Sequence, residues 1–176
     1  PELYIFEKIV KNGYLIANIN LEFDENGKVK DNYNVKGIIK DAKINILKKY
    51  DIKKINLSFN IEDNEYDFSN ILFTLNEIPF SSNSISVKNF DKDLLIKGDF
   101  KSKNILINSD NFKSFFDKDS LKFNFDTLNF ESENNFSFRL NKKFKIKNLK
   151  ISSNLILKKL VLLNEANLKS IFPKIK

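Results

Sequence analysis

The stretch Gly13–Ile46, GYLIANINLEFDENGKVKDNYNVKGIIKDAKINI, decides the fold. Leu15, Ala17, Ile19, Leu21 and Phe23 alternate with Ile16, Asn18, Asn20 and Glu22. Tyr33, Val35, Gly37 and Ile39 alternate with Asn34, Lys36 and Ile38. Period-two alternation makes a strand with one apolar and one mostly polar face. Asp24-Glu25-Asn26-Gly27 between them is a turn, because Asn and Gly tolerate positive φ. The stretch therefore reads as a long β-hairpin, and parity fixes its loop. A two-residue turn on Asn26-Gly27 sets Ile19 opposite Asn34, apolar against polar on every pair. An odd loop, Glu25–Gly27 or Asn26–Lys28, restores the match. With the second, Leu21 faces Tyr33, Ile19 faces Val35, Ala17 faces Gly37 and Leu15 faces Ile39. A slip of one residue turns the whole apolar face into water. A three- or five-residue loop with Gly27 left-handed is predicted.

The same alternation runs through the rest of the chain. Leu3–Val10 reads as a first strand. The return strand of the hairpin changes phase at Lys40-Asp41, where the apolar positions move to Ala42, Ile44 and Ile46, the signature of a bulge or tight corner. Ile55, Leu57, Phe59 and Ile61 turn at Asp63-Asn64 into Tyr66 and Phe68, with Ile61 opposite Tyr66 and Phe59 opposite Phe68. Another phase change near Ser69-Asn70 leads to Ile71, Phe73 and Leu75. Pro79 cannot donate to a ladder, so Glu77–Phe80 reads as a loop or an edge. Ile85 and Val87 pair across Phe90-Asp91 with Leu94 and Ile96. A short helical turn is predicted over Asp110–Phe116 with Asp110 as its cap. Leu121, Phe123 and Phe125 resume the sheet, then Leu128 and Phe130. Ser132-Glu133-Asn134 reads as a loop before Phe136, Phe138 and Leu140, and Asn141–Lys143 as a turn. Leu149–Leu157 is a last strand. From Lys159 the alternation is lost, and Asn164–Ile171 reads as a short helix. The layout is thus a β-sheet segment over residues 1–158 and a C-terminal loop or short helix over 159–176. One internal repeat stands out. Val35-Lys36-Gly37-x-Ile39-Lys40 with Ile44-x-Ile46 matches Ile96-Lys97-Gly98-x-Phe100-Lys101 with Ile105-x-Ile107, as in repeated strand sets of a quasi-one-dimensional sheet.

Composition narrows the chemistry. The 176 residues fit one or two domains, and 41% hydrophobic residues with 18 Phe provide ample apolar surface to bury. There is no run of about eighteen apolar residues to span a bilayer. The chain starts at Pro1 without Met, and is expected to be a segment of a longer protein. Heavy use of Lys, Asn, Ile and Phe fits an AT-rich genome. With no Cys and no His, there is no disulfide framework, and the usual zinc, copper and haem ligands are missing. Nucleophilic catalysis lacks its ordinary base. The carboxylate pairs Asp24/Glu25, Asp63/Glu65 and Asp117/Asp119 all sit at turns, where acids solvate loops. Four glycines form no phosphate-cradling loop. No catalytic residue, metal or cofactor is expected. The net charge is +7, yet Arg139 is the sole arginine, and the lysines alternate with apolar residues along strands. Lysines and aromatics on opposite faces argue against a stacking platform for nucleic acid.

The apolar face remains. It is either the core of a sandwich or barrel, or the lining of an open trough that holds acyl chains, where each buried methylene contributes roughly 0.8 kcal/mol. Alternation buries the same residues in both.

The paired long strands, Tyr33-x-Val35-x-Gly37-x-Ile39-x-Asp41-Ala42, the later Ile96-Lys97-Gly98 and the segment Phe144–Leu160, FKIKNLKISSNLILKKL, resemble the AsmA-like superfamily, especially its YhdP and TamB branch. The resemblance covers Gly13–Leu160. It implies a long β-groove with a hydrophobic interior, in proteins anchored in the inner membrane of Gram-negative bacteria that extend across the periplasm and are implicated in moving phospholipid to the outer membrane. The anchor would lie in sequence outside this segment. The expected fold is all-β: an elongated, twisted, mainly antiparallel sheet of roughly twelve strands, curled into an open groove, with one or two short helices. The expected function is non-enzymatic binding or conduction of phospholipid between inner and outer membranes. The expected groove residues are Leu15, Ile19, Leu21, Val35, Ile55, Leu57, Phe59, Phe68, Phe73, Ile85, Val87, Ile96, Phe123, Phe125, Phe136 and Phe138. The alternatives are a structural or adhesive β-domain of an envelope or surface protein with a closed core, and a polyanion binder using the lysine face.

Overall fold

Alternating stretches become strands here, and each runs longer than its uninterrupted pattern. The computed structural model describes residues 10–30, 32–46, 50–63, 65–115, 125–143 and 145–162. Its strands are β1 (Val10–Asn20), β2 (Asn34–Ile46), β3 (Tyr50–Glu62), β4 (Glu65–Leu75), β5 (Ile78–Phe90), β6 (Asp93–Ile107), β7 (Phe125–Leu140) and β8 (Ile146–Leu162), with a helix α1 (Ser109–Phe115) between β6 and β7. They form one open, unclosed sheet in sequence order, β1 to β8. The pairings from β1 through β6 are all antiparallel. The chain divides into two compact units: Pro1–Lys101 with Glu133–Ser153, and Ser102–Ser132 with Asn154–Lys176.

The hairpin closes as parity requires. The Asp24 N–H donates to the Lys28 carbonyl and the Gly27 N–H to the Asp24 carbonyl, with Gly27 at φ 76°. This is a three-residue Glu25–Gly27 loop with a left-handed glycine. The Asp24 carboxylate accepts the N–H groups of Asn26 and Lys28. In the strands Ile19 faces Val35, Ala17 faces Gly37 and Leu15 faces Ile39. The tip, where Phe23 bridges Val29, is offset from the strands by two residues. An even slip keeps the faces.

Among the described residues eight strands stand in place of the roughly twelve expected for the chain, because phase changes bend strands instead of ending them. Asp41, Lys54 and Asn70 sit at φ 51°, 53° and 52°, and each adds one residue against its neighbour. Left-handed backbone costs an L-residue about 1–2 kcal/mol, so the bulges need support. Asn56 ties two of them together: its Oδ1 accepts the Asp41 N–H and its Nδ2 donates to the Lys54 carbonyl. The bulge in β5 is held from β6: the carboxylate of Asp99 accepts the N–H groups of Asn83 and Ser84 at 3.0–3.2 Å, where the register between the two strands shifts. The bulges come in compensating sets. Ile39↔Leu57 and Ile44↔Ile52 are five residues apart on both strands, despite the two bulges between them.

Several local expectations change. Pro79 is the second residue of β5, opposite Thr74, at a strand start where a missing donor is tolerated. The turn before it is Asn76-Glu77, both left-handed. The next turn falls at Asp91-Lys92, not at Phe90-Asp91, so Val87 faces Ile96 instead of Leu94, Ile85 faces Gly98 instead of Ile96, and Leu94 faces Asn89; the shift is even and keeps the faces. Ser132–Asn134 is strand interior: Ser132 and Asn134 are buried, and the Asn134 amide donates to the Phe100 carbonyl. Asn108, not Asp110, caps α1 by accepting the Asn111 N–H. The strand β8 continues to Leu162, past the loss of alternation. The expected strand Leu3–Val10, except its last residue, the positions Leu121 and Phe123, and the expected helix Asn164–Ile171 lie outside the described residues. Among the described residues no helix is long and apolar enough to cross a membrane.

Candidate functional site

Residues paired across strands point to the same side of a sheet, so the register assembles the apolar face rung by rung. One rung runs Ala17–Gly37–Phe59–Phe68–Ile85–Gly98 across β1 to β6. The next runs Ile19–Val35–Ile61–Tyr66–Val87–Ile96. A third begins Leu15–Ile39–Leu57. Of the expected groove residues, Leu15, Ile19, Val35, Leu57, Phe59, Phe68, Ile85, Val87 and Ile96 therefore share one surface. Phe73 joins it through a file of rings: Phe73–Phe80 at 5.5 Å between centroids, Phe80–Phe100 at 6.2 Å, and Phe100–Phe136 and Phe136–Phe138 at 6.0 Å. Phe80 and Phe100 belong to this surface too. The reading of Glu77–Phe80 as a loop hid the first of them.

The two Lys-Gly strands have a common construction. A Cβ on Gly37 would stand 2.6 Å from Phe59 Cζ, and one on Gly98 3.0 Å from Phe136 Cζ. In each repeat a phenylalanine of the following strand lies over the glycine.

Burial divides the set. Leu15, Ile19 and Leu21 are exposed at 46–58%, on or beside the outermost strand. Val35, Leu57, Phe59, Phe68, Phe73, Ile85, Val87, Ile96, Phe136 and Phe138 are half-buried. Ile55 is buried opposite Ala42 and borders a cavity of about 110 Å³ with Leu15, Ile39, Ala42, Ile44 and Leu57. That is on the order of the ~150 Å³ that holds one benzene. Phe125 belongs to the other unit and is 1% exposed. It is core, closed off by Phe112, and is no part of an accessible face. Phe123 lies outside the described residues. In the unit that carries the face, every described helix or strand belongs to this one sheet. A closed sandwich would need a second.

The opposite face is mostly polar, with a rung Asn18–Lys36–Asn60–Asp67–Ser86–Lys97, although Ile16 and Ile38 pair on it. Ion pairs stud the exposed surface: Lys88 with Glu65, Lys53 with Asp51 and Glu77, Lys147 with Asp93. The Lys53 ammonium, hydrogen-bonded to Asp51, holds that carboxyl below its usual value, and Lys43 adds to this. Hydrogen bonds to Asp51 and Glu77 raise Lys53. A bond to Glu65 raises Lys88. Asn32 and then Lys30 lower Glu22. A depressed carboxyl stabilises the fold above its unfolded value and loses that contribution as pH falls through the folded one. In an NMR titration Asp51 is therefore expected to protonate at lower pH than a free aspartate. K53Q should move its midpoint up towards the ordinary range, and an unmoved midpoint would remove Lys53 as the cause.

One feature of the polar face escaped the sequence. The Arg139 guanidinium lies 4.1 Å from the centroid of the Phe90 ring, although lysines and aromatics otherwise separate. No family model matches the chain, and no curated protein or solved structure matches it either.

Proposed function

We propose that this chain is a non-enzymatic, lipid-binding segment whose apolar sheet face accommodates phospholipid acyl chains, and that it conducts them between inner and outer membranes within a periplasmic, AsmA-like protein anchored through other sequence. One observation carries this reading: an apolar surface continuous across at least six strands, half-buried and with no second sheet over it among the described residues. Acyl chains need contiguous apolar surface and no directional chemistry, since each sequestered methylene adds roughly 0.8 kcal/mol. Large apolar surfaces left open mark binding sites for lipid or protein.

Native mass spectrometry of the purified protein tests it. Phospholipid adducts are expected, and the double variant F68E/I85E, in the middle of one rung, should reduce their occupancy at least about tenfold, equivalent to about 1.4 kcal/mol. D67N on the polar face should leave occupancy unchanged. A protein that carries no lipid and takes none from phosphatidylethanolamine micelles would end this reading.

A further inference from the structure

We propose that a recess on the polar face, between β6, β7 and β8, is an anion site for a phosphate-bearing ligand, with Arg139, Lys97 and Lys150 as its cationic wall. The recess encloses about 540 Å³, within the roughly 300–1,000 Å³ of small-molecule sites. Ile96 and Gly98 belong to the apolar face, so Leu95 and Lys97 point to the other side. Phe138 of the apolar set also borders the recess, so the two surfaces adjoin there, but the cationic wall lies on the polar side and the proposal does not rest on the acyl-chain reading.

The charges are unbalanced. No carboxylate lines the recess. Among the described residues none of its three cations has a salt bridge, whereas the neighbouring Lys88, Lys101 and Lys147 are paired with Glu65, Glu133 and Asp93. The acids of β6 on either side of Lys97 in sequence are committed: Asp93 to Lys147, and Asp99 to the backbone of Asn83 and Ser84. Three like charges in one concavity repel, and a phosphate anion relieves that repulsion. The sole guanidinium is also held in place. Phe90 takes its planar face, 4.1 Å away, so its N–H edges remain for a bidentate acceptor, the geometry in which arginine meets phosphate. Ser137 and Asn148 add neutral hydrogen-bonding groups to the wall.

A phosphate ester of a soluble metabolite and a lipid headgroup share this chemistry, and one titration separates them. The chain has a single arginine, so its Nε–Hε signal is a unique probe in a nitrogen–proton NMR spectrum. That signal is followed against inorganic phosphate, glycerol 3-phosphate, and phosphatidylcholine vesicles containing phosphatidylglycerol, all at constant ionic strength set with chloride. A saturable shift is expected, with a midpoint at least tenfold weaker in K97Q/K150Q and unchanged in K36Q, which lies on the same face outside the recess. Both lysines are exposed, and spectral dispersion verifies that the variants fold. Saturation with glycerol 3-phosphate assigns the site to soluble esters; saturation with vesicles alone assigns it to headgroups. A linear shift with all three, an equal shift with chloride, or the same midpoint in K97Q/K150Q overturns the proposal.

Discussion

Replacing Phe125 with alanine is expected to lower unfolding stability by about 3–5 kcal/mol, the range for deleting a fully buried aromatic. Phe125 is 1% exposed and meets Phe112 edge to face, with centroids 5.9 Å apart and planes at 83°. Its backbone is held just as firmly. The Ser109 hydroxyl donates to the Phe125 carbonyl at 2.6 Å and accepts the Phe125 N–H at 2.7 Å. The helix α1 is only seven residues long, too short to persist without tertiary contacts. It depends on this junction, and Asn108 closes its first turn. Losing the ring removes the surface on which α1 rests, so amides of Ser109–Phe115 should exchange faster than those of β2–β4 in the other unit. Urea denaturation with amide exchange measures both. A loss under about 1 kcal/mol would show that α1 does not rest on Phe125.

The second large effect is at a glycine. A Cβ on Gly37 would lie 2.3 Å from the Ile16 carbonyl oxygen as well as against the Phe59 ring. The ring can turn away; the Ile16 backbone moves only by parting β1 from β2. Gly37→Ala should therefore cost about 3 kcal/mol, the upper end for forcing atoms into a packed site. Gly98→Ala should cost less, because its Cβ would stand 2.8 Å from the Ser84 carbonyl oxygen and from a movable Ile85 side-chain carbon. Gly27→Ala meets nothing within 4 Å and should lose only about 1–2 kcal/mol for its left-handed backbone. Thermal melts of the three variants should rank them in that order. A neutral Gly37→Ala would mean that the two strands are not held at this separation.

Much of this was legible because side-chain parity is a strict constraint. The odd loop at Glu25–Gly27, the pairs Phe59↔Phe68 and Ile61↔Tyr66, and the breaks at Asp41 and Asn70 all follow from which residues must share a face. The strand count was not legible, because a phase break looks the same in one dimension whether a strand ends or bulges. The Asn56 amide and the Asp99 carboxylate that hold the bulges read as ordinary polar positions. Ser132–Asn134 has the composition of a turn, and only the Phe100 carbonyl next to Asn134 explains why that polar group sits inside a strand. Phe125 fits the alternation as well as Phe136 does. Its removal from the accessible face depends on a helix packing above it. The recess around Arg139 joins residues from three strands that no local pattern places together.

The compensating bulges also constrain how such a chain can change length. Each extra residue in β2 is answered by one in β3, and that one by another in β4, so the apolar rungs realign beyond the break. A single-codon deletion at Asp41 would leave the Lys54 bulge unanswered and turn one half of β2 over relative to its neighbours. Deletions in this part of the sheet are tolerated only as matched sets across adjacent strands. Relatives of this chain should therefore differ in length at the hairpin tips, where an even change is harmless, and keep strand lengths in lockstep between them.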